Sequence, residues 1–319
     1  MSYSQFGSIQ ASDFNTFVGG NPTSTANTLN AVWATGSNIS GYGQTAAANV
    51  AIGQSIVAPG QWAALVANTA NAASHQGSGT VIGTVVTPVA GGLINYQANI
   101  PTNLANIYGN RINAVSQGST VATSNTRATT FTTSLNFTFT VSFANGDAAR
   151  YFFNSGGQLK ITASNPTGTS VTNIFNQLAA NVGTLVMSSV ASGNANIAGT
   201  VYTGLQRVGS LSITPSPYLT NSGYYGLTGS ATNVFQVTNA SGTYINTNIK
   251  ILANTSTANV SGNGDNGNVI TLQGIWTDLP QGTTANSGSS MTLTVSPPET
   301  TYIANTWGAI TVVSTLTGS

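Results

Sequence analysis

Side chains that could carry acid–base chemistry are few in this chain of 319 residues, which has five Asp or Glu residues and one histidine. Glycoside hydrolysis needs two carboxyl groups about 5–9 Å apart. The acids available for such a pair are far apart in sequence: Asp147, Asp265, Asp278 and Glu299. A hydrolytic site would require the fold to bring them together, and the sequence predicts no catalytic residue.

The single histidine, His75, stands just before Gln76 and Gly77, at the end of a predicted helix. An imidazole in the last turn can bind the final carbonyl groups and lies at the negative end of the helix dipole. The chain has no Gly-Xaa-Ser-Xaa-Gly nucleophile motif. We predict that His75 caps its helix, because a triad or a metal site needs partners that the sequence does not supply.

Cysteine is absent from the sequence, which excludes thiolate zinc sites, iron–sulfur clusters and disulfide bonds. Residues 263–268 could offer oxygen ligands to calcium, but their one carboxylate is Asp265, whereas a calcium loop has several. Gly and Asn favour positive φ in tight turns. We predict a turn in which Asp265 binds local backbone amides, with no metal and no cofactor.

Arg150 follows Asp147 by three residues and precedes the aromatic residues 151–153. An ion pair with Asp147, or a cation–π contact inside the protein or across a subunit boundary, is the ordinary role of such an arginine. We predict that both side chains are structural. Binding of a substrate carboxylate by Arg150 is the alternative.

Charged residues make up 3% of the chain, and its formal net charge is +1. No basic surface is available to neutralise phosphates, so the sequence predicts no nucleic-acid binding. Apolar runs are too short to cross a membrane, and the first residues do not resemble a signal peptide. We therefore expect synthesis in a cytoplasm and no membrane insertion. A net charge near zero favours self-association, and we expect a homo-oligomer.

Helical periodicity is confined mainly to the first third of the chain. It predicts helices at residues 9–18, capped by Ser12 or Asp13, at 59–75 and at 102–115. From about residue 120 the apolar period changes to two, most clearly at residues 131–143. We therefore predict an α+β protein: an N-terminal helical module, residues 1–117, and a mainly antiparallel β-sandwich domain, residues 118–319.

The β-sandwich is predicted to contain one helix, at residues 170–182, and a turn at 145–147. Strands are predicted at 158–163, 182–187, 211–214, 224–227, 234–237, 244–252, 269–277 and 291–295, with an edge strand at 310–313. Residues 116–130, rich in Ser, Thr and Asn, are the predicted linker between the two parts.

Two groups of aromatic residues are candidates for contact with other molecules. The first group is predicted to pack into a core or against neighbouring subunits: Phe14, Phe17, Trp33, Tyr42 and Trp62. The second group is predicted to be exposed, where its rings would form a protein interface or stack on sugars: Tyr218, Tyr224, Tyr225 and Trp307. Interfaces are enriched in Tyr and Trp, which favours the first of these two uses.

Three groups of short motifs follow one another along most of the chain. The first group covers residues 6–15, 29–33, the Gly-Tyr-Gly-Gln sequence at 41–44 and residues 61–77; the second covers 137–159; the third covers 263–271 and 276–278. Together they resemble a family of virion structural proteins from tailed bacteriophages, often labelled tail or tail-fibre proteins. The resemblance implies residence in a phage particle, with other virion proteins as partners, and it carries no catalytic signature.

The function predicted from these features is that of a non-enzymatic structural component of a bacteriophage particle, associated with the tail, a fibre or the neck. The alternative is an adhesin module that binds glycans on the host surface. A capsid decoration protein or a hydrolase carried on the particle is less favoured. The predicted location is the virion.

Overall fold

A computed structural model describes residues 10–51, 60–87, 97–168, 170–190, 193–280, 285 and 287–318. In these residues, N-terminal helices are followed by two antiparallel sheets packed together, with helices among the strands. The predicted α+β class and the order of its parts are confirmed.

The N-terminal helices are α1 (Ala11–Val18), α2 (Leu29–Val32), α3 (Gly60–Gln76) and α4 (Asn99–Gly109). The prediction that Ser12 or Asp13 caps α1 is wrong in detail, because Gln10 is the N-cap. Asp13 takes part from inside the helix, where its Oδ2 accepts a hydrogen bond of 3.0 Å from Gln10 N. Helix α4 starts and ends earlier than predicted, and the side chain of Arg111 turns back to bind Tyr108 O at 2.8 Å.

The strands are β1 (Val121–Thr126), β2 (Ser134–Ser142), β3 (Gln158–Ser164), β4 (Thr184–Met187), β5 (Ala195–Ile197), β6 (Thr200–Tyr202), β7 (Leu205–Val208), β8 (Tyr218–Leu219), β9 (Thr232–Thr238), β10 (Asn248–Thr255), β11 (Val269–Thr277), β12 (Ser290–Ser296) and β13 (Thr311–Gly318). One sheet has the order β1-β12-β3-β4-β7, and the other has the order β13-β2-β11-β10-β9-β8. Strands β5 and β6 form a separate pair.

The sandwich core follows from strict alternation along the central strands. In β2 the odd-numbered residues are buried and the even-numbered residues are half-exposed, as the sequence predicts. The two sheets pack closely where Gly274 on β11 faces Met291 on β12: Met291 Sδ occupies the place that a Cβ on residue 274 would take. Glycine at this position therefore allows the thioether to pack into the sheet.

Two helices lie among the strands, α5 (Gly146–Asn154) and α6 (Ser170–Val182). The prediction of α6 is confirmed, and Phe175 on this helix stacks on Trp276 with ring centroids 5.4 Å apart. Helix α5 replaces the predicted turn at 145–147. Its N-cap is Asn145, whose side-chain oxygen accepts a 2.8 Å hydrogen bond from Ala148 N.

Three further predictions of secondary structure are wrong. The predicted linker at 116–130 contains β1, which pairs with β12 but has mostly exposed side chains and so lacks the alternation of a half-buried strand. Residues 211–214 form no strand, and residues 224–227 include a 3-10 helix, Tyr224–Gly226. The edge strand predicted at 310–313 is present as β13.

Buried apolar residues from both parts of the chain form one continuous cluster, which extends from Phe14 to Trp307. The N-terminal helices thus share a core with the sheets. The boundary at residue 117 stays a prediction.

Candidate functional site

Three distant segments of the chain meet around Arg150 on α5. The Arg150 guanidinium donates hydrogen bonds of 2.6 Å to Ser40 O and 2.6 Å to Thr35 O, and it forms an ion pair of 3.0 Å with Asp147. We call this cluster the Arg150 junction. It consists of the side chains of Asp147, Arg150, Asn154, Tyr225 and Asn263, and of the backbone of residues 35–41.

The loop that receives Arg150 takes its shape from two glycines. Gly36 has φ 55° and Gly41 has φ 98°, a region in which other residues are strained. A Cβ on either residue would also collide with neighbouring backbone atoms of the loop. The glycine-rich sequence thereby turns several carbonyl groups towards one point, where a fully buried guanidinium can bind them.

Asn154 and Tyr225 complete the binding of the loop. Asn154 Nδ2 donates to Asn38 O and to Ser40 O, both at 3.1 Å. The Tyr225 hydroxyl lies 2.6 Å from Asn38 O, to which it donates, and 3.0 Å from Asn154 Oδ1. Burial raises the pKa of this hydroxyl well above its ordinary value, so it stays a donor. Sequence analysis did not single out Asn38 or Asn154; the only local signal was their place beside glycine-rich loops.

The third segment joins through Asn263, which donates from Nδ2 to Asp147 Oδ2 at 2.8 Å and accepts at its carbonyl from Asn38 N at 2.8 Å. Asp147 therefore binds Arg150 with one oxygen and Asn263 with the other. The predicted structural pairing of Asp147 with Arg150 is confirmed. Arg150 also lies over the Tyr151 ring, 5.0 Å from its centroid.

Asp265 lies in the predicted turn and binds local backbone amides, as expected. Its Oδ2 accepts from Ser261 N at 2.8 Å and from Ser261 Oγ at 2.7 Å, and its Oδ1 accepts from Gly267 N at 2.9 Å. Burial opposes ionisation of this carboxyl, but the hydrogen bonds outweigh it and lower the pKa below its ordinary value. Across the described ranges no three His, Asp or Glu side chains are grouped closely enough to hold a metal ion.

Among the acids proposed for a hydrolytic pair, Asp147 and Asp265 lie near each other, because the Asp265 carboxyl packs against Gly146, and each of these two is already bound by protein groups. Asp265 precedes β11 and Asp278 follows it, and a nine-residue strand places its two ends about 30 Å apart. The Glu299 carboxylate accepts a hydrogen bond of 3.0 Å from Thr301 N. Asp147 is occupied by Arg150 and Asn263.

Asp278 is fully buried, and neither of its carboxylate oxygens has a hydrogen-bond partner within the described part of the chain. Burial raises its pKa to about 6. His75 is also buried, and its Nε2 donates to Ser155 O at 3.1 Å. The prediction that the imidazole caps its own helix is therefore wrong: it binds the carbonyl that follows α5. Burial lowers the pKa of His75 to about 4, against the opposing effects of the Ser155 carbonyl and the Glu299 charge.

The first group of aromatic candidates belongs to the core. All five side chains are buried within one chain: Phe14, Phe17, Trp33, Tyr42 and Trp62. Phe14 packs against Trp62 with ring centroids 6.1 Å apart, and the Tyr42 hydroxyl accepts from the buried Gln76 Nε2 at 2.9 Å. The expectation that they pack into a core holds, and the idea that they offer an open surface to neighbouring subunits is corrected.

The second group was predicted to be exposed, and this holds for one of its four members, whereas two are buried and one is half-buried. Tyr224 is buried because its ring stacks on Phe153 at 4.5 Å and its hydroxyl donates to Gly267 O at 2.7 Å. Trp307 is also buried, and the hydroxyl of its neighbour Thr306 donates a hydrogen bond to Tyr42 O. Tyr225 is half-buried in the Arg150 junction, and Tyr218, at 53% exposure, is the one of the four that is exposed.

Two of the open cavities at the surface of the described chain differ sharply in polarity. A polar cleft of about 410 Å³ borders the Arg150 junction and is lined by Pro22, Thr23, Ser24, Ser37, Asn38, Asn259, Gly262, Asn263 and Gly264. An apolar groove of about 300 Å³ lies between α3, α4 and residues 82–85. The polar cleft offers amides and hydroxyls and no charged side chain.

No family model, no curated protein and no solved structure matches this chain. Of the helices in the described ranges, none has the length and apolar character needed to cross a membrane.

Proposed function

We propose that this protein is a non-enzymatic structural component of a bacteriophage particle, located at the tail, a fibre or the neck. The Arg150 junction carries the proposal. The second and third groups of motifs that resemble tailed-phage virion proteins supply α5 and the loop around Asn263 to it, and the loop that these bind, residues 35–41, joins the first group's segments 29–33 and 41–44. Their polar residues bind one another, which is the arrangement expected where motifs specify an architecture.

The charges of the chain support the same proposal. Arg150, Asp147 and Asp265 are bound within the fold, and because charged residues make up 3% of the chain, the surface consists mainly of neutral groups. Such surfaces form hydrogen bonds between subunits without the cost of desolvating charges, and salt does not screen them. A homo-oligomer within a particle is the form of assembly that this surface favours.

Mass spectrometry of purified particles, combined with antibody labelling in electron microscopy, tests the proposal. We expect the protein at a fixed copy number and label at one location, which would also separate tail, neck and fibre. A matched pair of variants, Arg150→Ala and Lys250→Ala, adds a structural readout: particles should incorporate the second and exclude the first. A protein absent from clean particles would refute the proposed function.

Binding of host-surface glycans is the second candidate, and the polar cleft is the observation that favours it. Its volume lies in the range of ligand sites, and uncharged amides and hydroxyls suit the hydroxyl groups of sugars. Asn38 has φ 51°, so Asn38→Gly would remove the side-chain amide and keep a compatible backbone. Asn246→Gly, at another exposed residue of positive φ, is the matched control.

Binding to an array of neutral oligosaccharides distinguishes the candidates. If the cleft binds sugars, the wild-type chain and Asn246→Gly bind the array and Asn38→Gly loses binding, while particle assembly is unchanged. A wild-type chain that binds no saccharide on the array rules this candidate out.

A further inference from the structure

The outer edge of β13 is open to pairing. Across the described residues the backbone of this strand forms ladder bonds with β2, in eight consecutive residue pairs without a bulge, and it is the last strand of its sheet. An edge strand carries N–H and C=O groups without partners along its free side, and these groups can bind another strand. Exposure along β13 alternates, and Val313 is 56% exposed.

The features that usually block edge pairing are missing from β13. Proteins protect free edges with charged side chains, proline, bulges or very short strands. The sequence Thr-Val-Val-Ser-Thr-Leu-Thr-Gly contains no charge and no proline, and its register is regular. The other edges in the described sheets are shorter: β8 has two residues, β7 has four and includes Arg207, and β1 has six and is followed by Arg127.

The neighbouring strand β1 approaches β13 but does not pair with its backbone. Strand β1 belongs to the opposite sheet, and the two strands are joined by a side-chain contact of 3.5 Å from Asn125 Nδ2 to Ser314 Oγ. Val312, Ser314 and Leu316 face the core side of the sheet, yet each is partly exposed because no strand continues the sheet beyond them. A further strand would cover these side chains.

We infer that two copies of this chain associate through their β13 strands, which pair antiparallel across a two-fold axis to give one continuous sheet. This inference deepens the proposed structural role, on which it rests, by naming a surface and its partner. The second copy fits because the strand is complementary to itself. In a register centred on Ser314, Val312 lies opposite Leu316 of the second copy and Val313 lies opposite Thr315, with no like charges opposed.

Sedimentation of the purified full chain provides the first test. We expect a dimer for the wild type and, for Val313→Lys, a dissociation constant raised about tenfold or more, because lysine protects an edge against pairing. The matched control is Val260→Lys, at a residue that is 58% exposed on a loop away from β13. This control should associate as the wild type does. A monomeric wild type, or a Val313→Lys variant that dimerises normally, overturns the inference.

A crosslink tests the register. The chain has no cysteine, so Ser314→Cys places one thiol on the proposed two-fold axis, where directly opposite Cβ atoms are about 4.5–5.5 Å apart. Mild oxidation should give a covalent dimer on a non-reducing gel. Ser241→Cys, on an exposed turn, is the control and should remain monomeric. Equal yields of dimer from both variants, or none from Ser314→Cys, contradict pairing at β13.

Particle incorporation separates the two proposals. If the wild-type chain is present in purified particles but shows neither dimer nor crosslink, the pairing is wrong and the structural role stands. If the chain is absent from particles, the structural role fails, and dimerisation in solution would then describe the isolated protein only.

Discussion

Arg150 and Asp147 lie one helical turn apart on α5 and form an ion pair in which the guanidinium is fully buried and the carboxylate is partly exposed. The remaining donors of Arg150 bind Thr35 O and Ser40 O, more than 100 residues away in sequence. The pair thus joins the N-terminal loop to the helix that begins after β2. Loss of the guanidinium would remove a donor from each of these two carbonyl groups, although Ser40 O would keep its hydrogen bond from Asn154 Nδ2.

Arg150→Ala should lower the free energy of unfolding by about 3–5 kcal/mol, since it removes a buried charge partner and several hydrogen bonds at once. Arg150→Lys should lose most of the same stability, because an ammonium cannot reach both loop carbonyls and Asp147 together. Urea unfolding measures both. Lys250→Ala, at a half-exposed residue of β10, is the control and should cost less than about 0.5 kcal/mol. If Arg150→Lys were as stable as the wild type, the planar, multiple-donor geometry of the guanidinium would not matter at this position.

Asp278→Asn should stabilise the protein at neutral pH. The folded-state pKa of Asp278 is raised from 3.8 to about 6, so its contribution is fully present below pH 3.8 and is lost as the pH rises through 6. A pKa difference of this size between the folded and unfolded states corresponds to at most about 3 kcal/mol. Thermal unfolding between pH 4 and 7 should show a smaller decline for Asp278→Asn than for the wild type.

Asp265→Asn is the matched control for Asp278→Asn, because the fold shifts the pKa of Asp265 in the opposite direction. The folded-state pKa of Asp265 lies below 3.8, so its contribution is present above that value and is lost as the pH falls through the folded pKa. Replacement should therefore destabilise the protein at pH 7, by about 1–3 kcal/mol, through the lost bonds to Ser261 and Gly267. The same sign of effect for both variants would contradict the environments assigned to the two acids.

His75 should titrate with a pKa of about 4 in the folded protein. Its depressed pKa means that the stability it contributes is present above pH 6.5 and is lost as the pH falls towards 4. The chain has one histidine, so an NMR titration of the imidazole Cε1–H signal gives this pKa without assignment. The signal of the acid-unfolded chain serves as the reference. A folded-state midpoint near 6.5 would show that the ring is accessible to water.

Alternation of apolar and polar residues made the central strands predictable. Elements that lack such a pattern, or whose ends resemble turns, were missed. Strand β11 was predicted with its observed bounds, and in the structure every second residue along it is buried. Strand β1 was missed because it is an exposed edge, whose side chains need no apolar pattern. Helix α5 was missed because Asn-Gly-Asp at 145–147 is typical of a turn, whereas here Asn145 caps a helix whose buried face includes Phe152 and Phe153.

The candidate site was predictable only in part. The ion pair of Arg150 with Asp147 was predicted from their three-residue separation, although the helix that brings them together was not. The contacts of Arg150 with residues 35–40 join positions separated by more than 100 residues, which no local pattern reveals. The burial of Tyr224 and Trp307 likewise depends on long-range packing, since aromatic rings among Asn and Thr look the same in sequence whether they are exposed or stacked.

The close approach of Gly274 and Met291 predicts an energetic coupling between the two sheets. Gly274→Ala should destabilise the protein by about 1–3 kcal/mol, because Met291 Sδ already occupies the position of the added methyl group. Met291→Ala alone should also destabilise, by leaving a cavity. The double variant should be more stable than the sum of the two losses predicts, by about 1 kcal/mol or more. Additive losses in urea unfolding would contradict the contact.

Association between copies should depend weakly on salt. The proposed β13 contact contains no charged side chain, so there is no Coulomb attraction to screen. Sedimentation between about 50 mM and about 1 M NaCl should change the dissociation constant by less than about threefold. A mixture of Val313→Lys and Val313→Glu chains provides the control, because opposite charges placed on the same edge should pair at low salt and separate at high salt. Strong dissociation of the wild type by salt would show that its copies are held together through charged groups elsewhere, and that the neutral edge is not the contact.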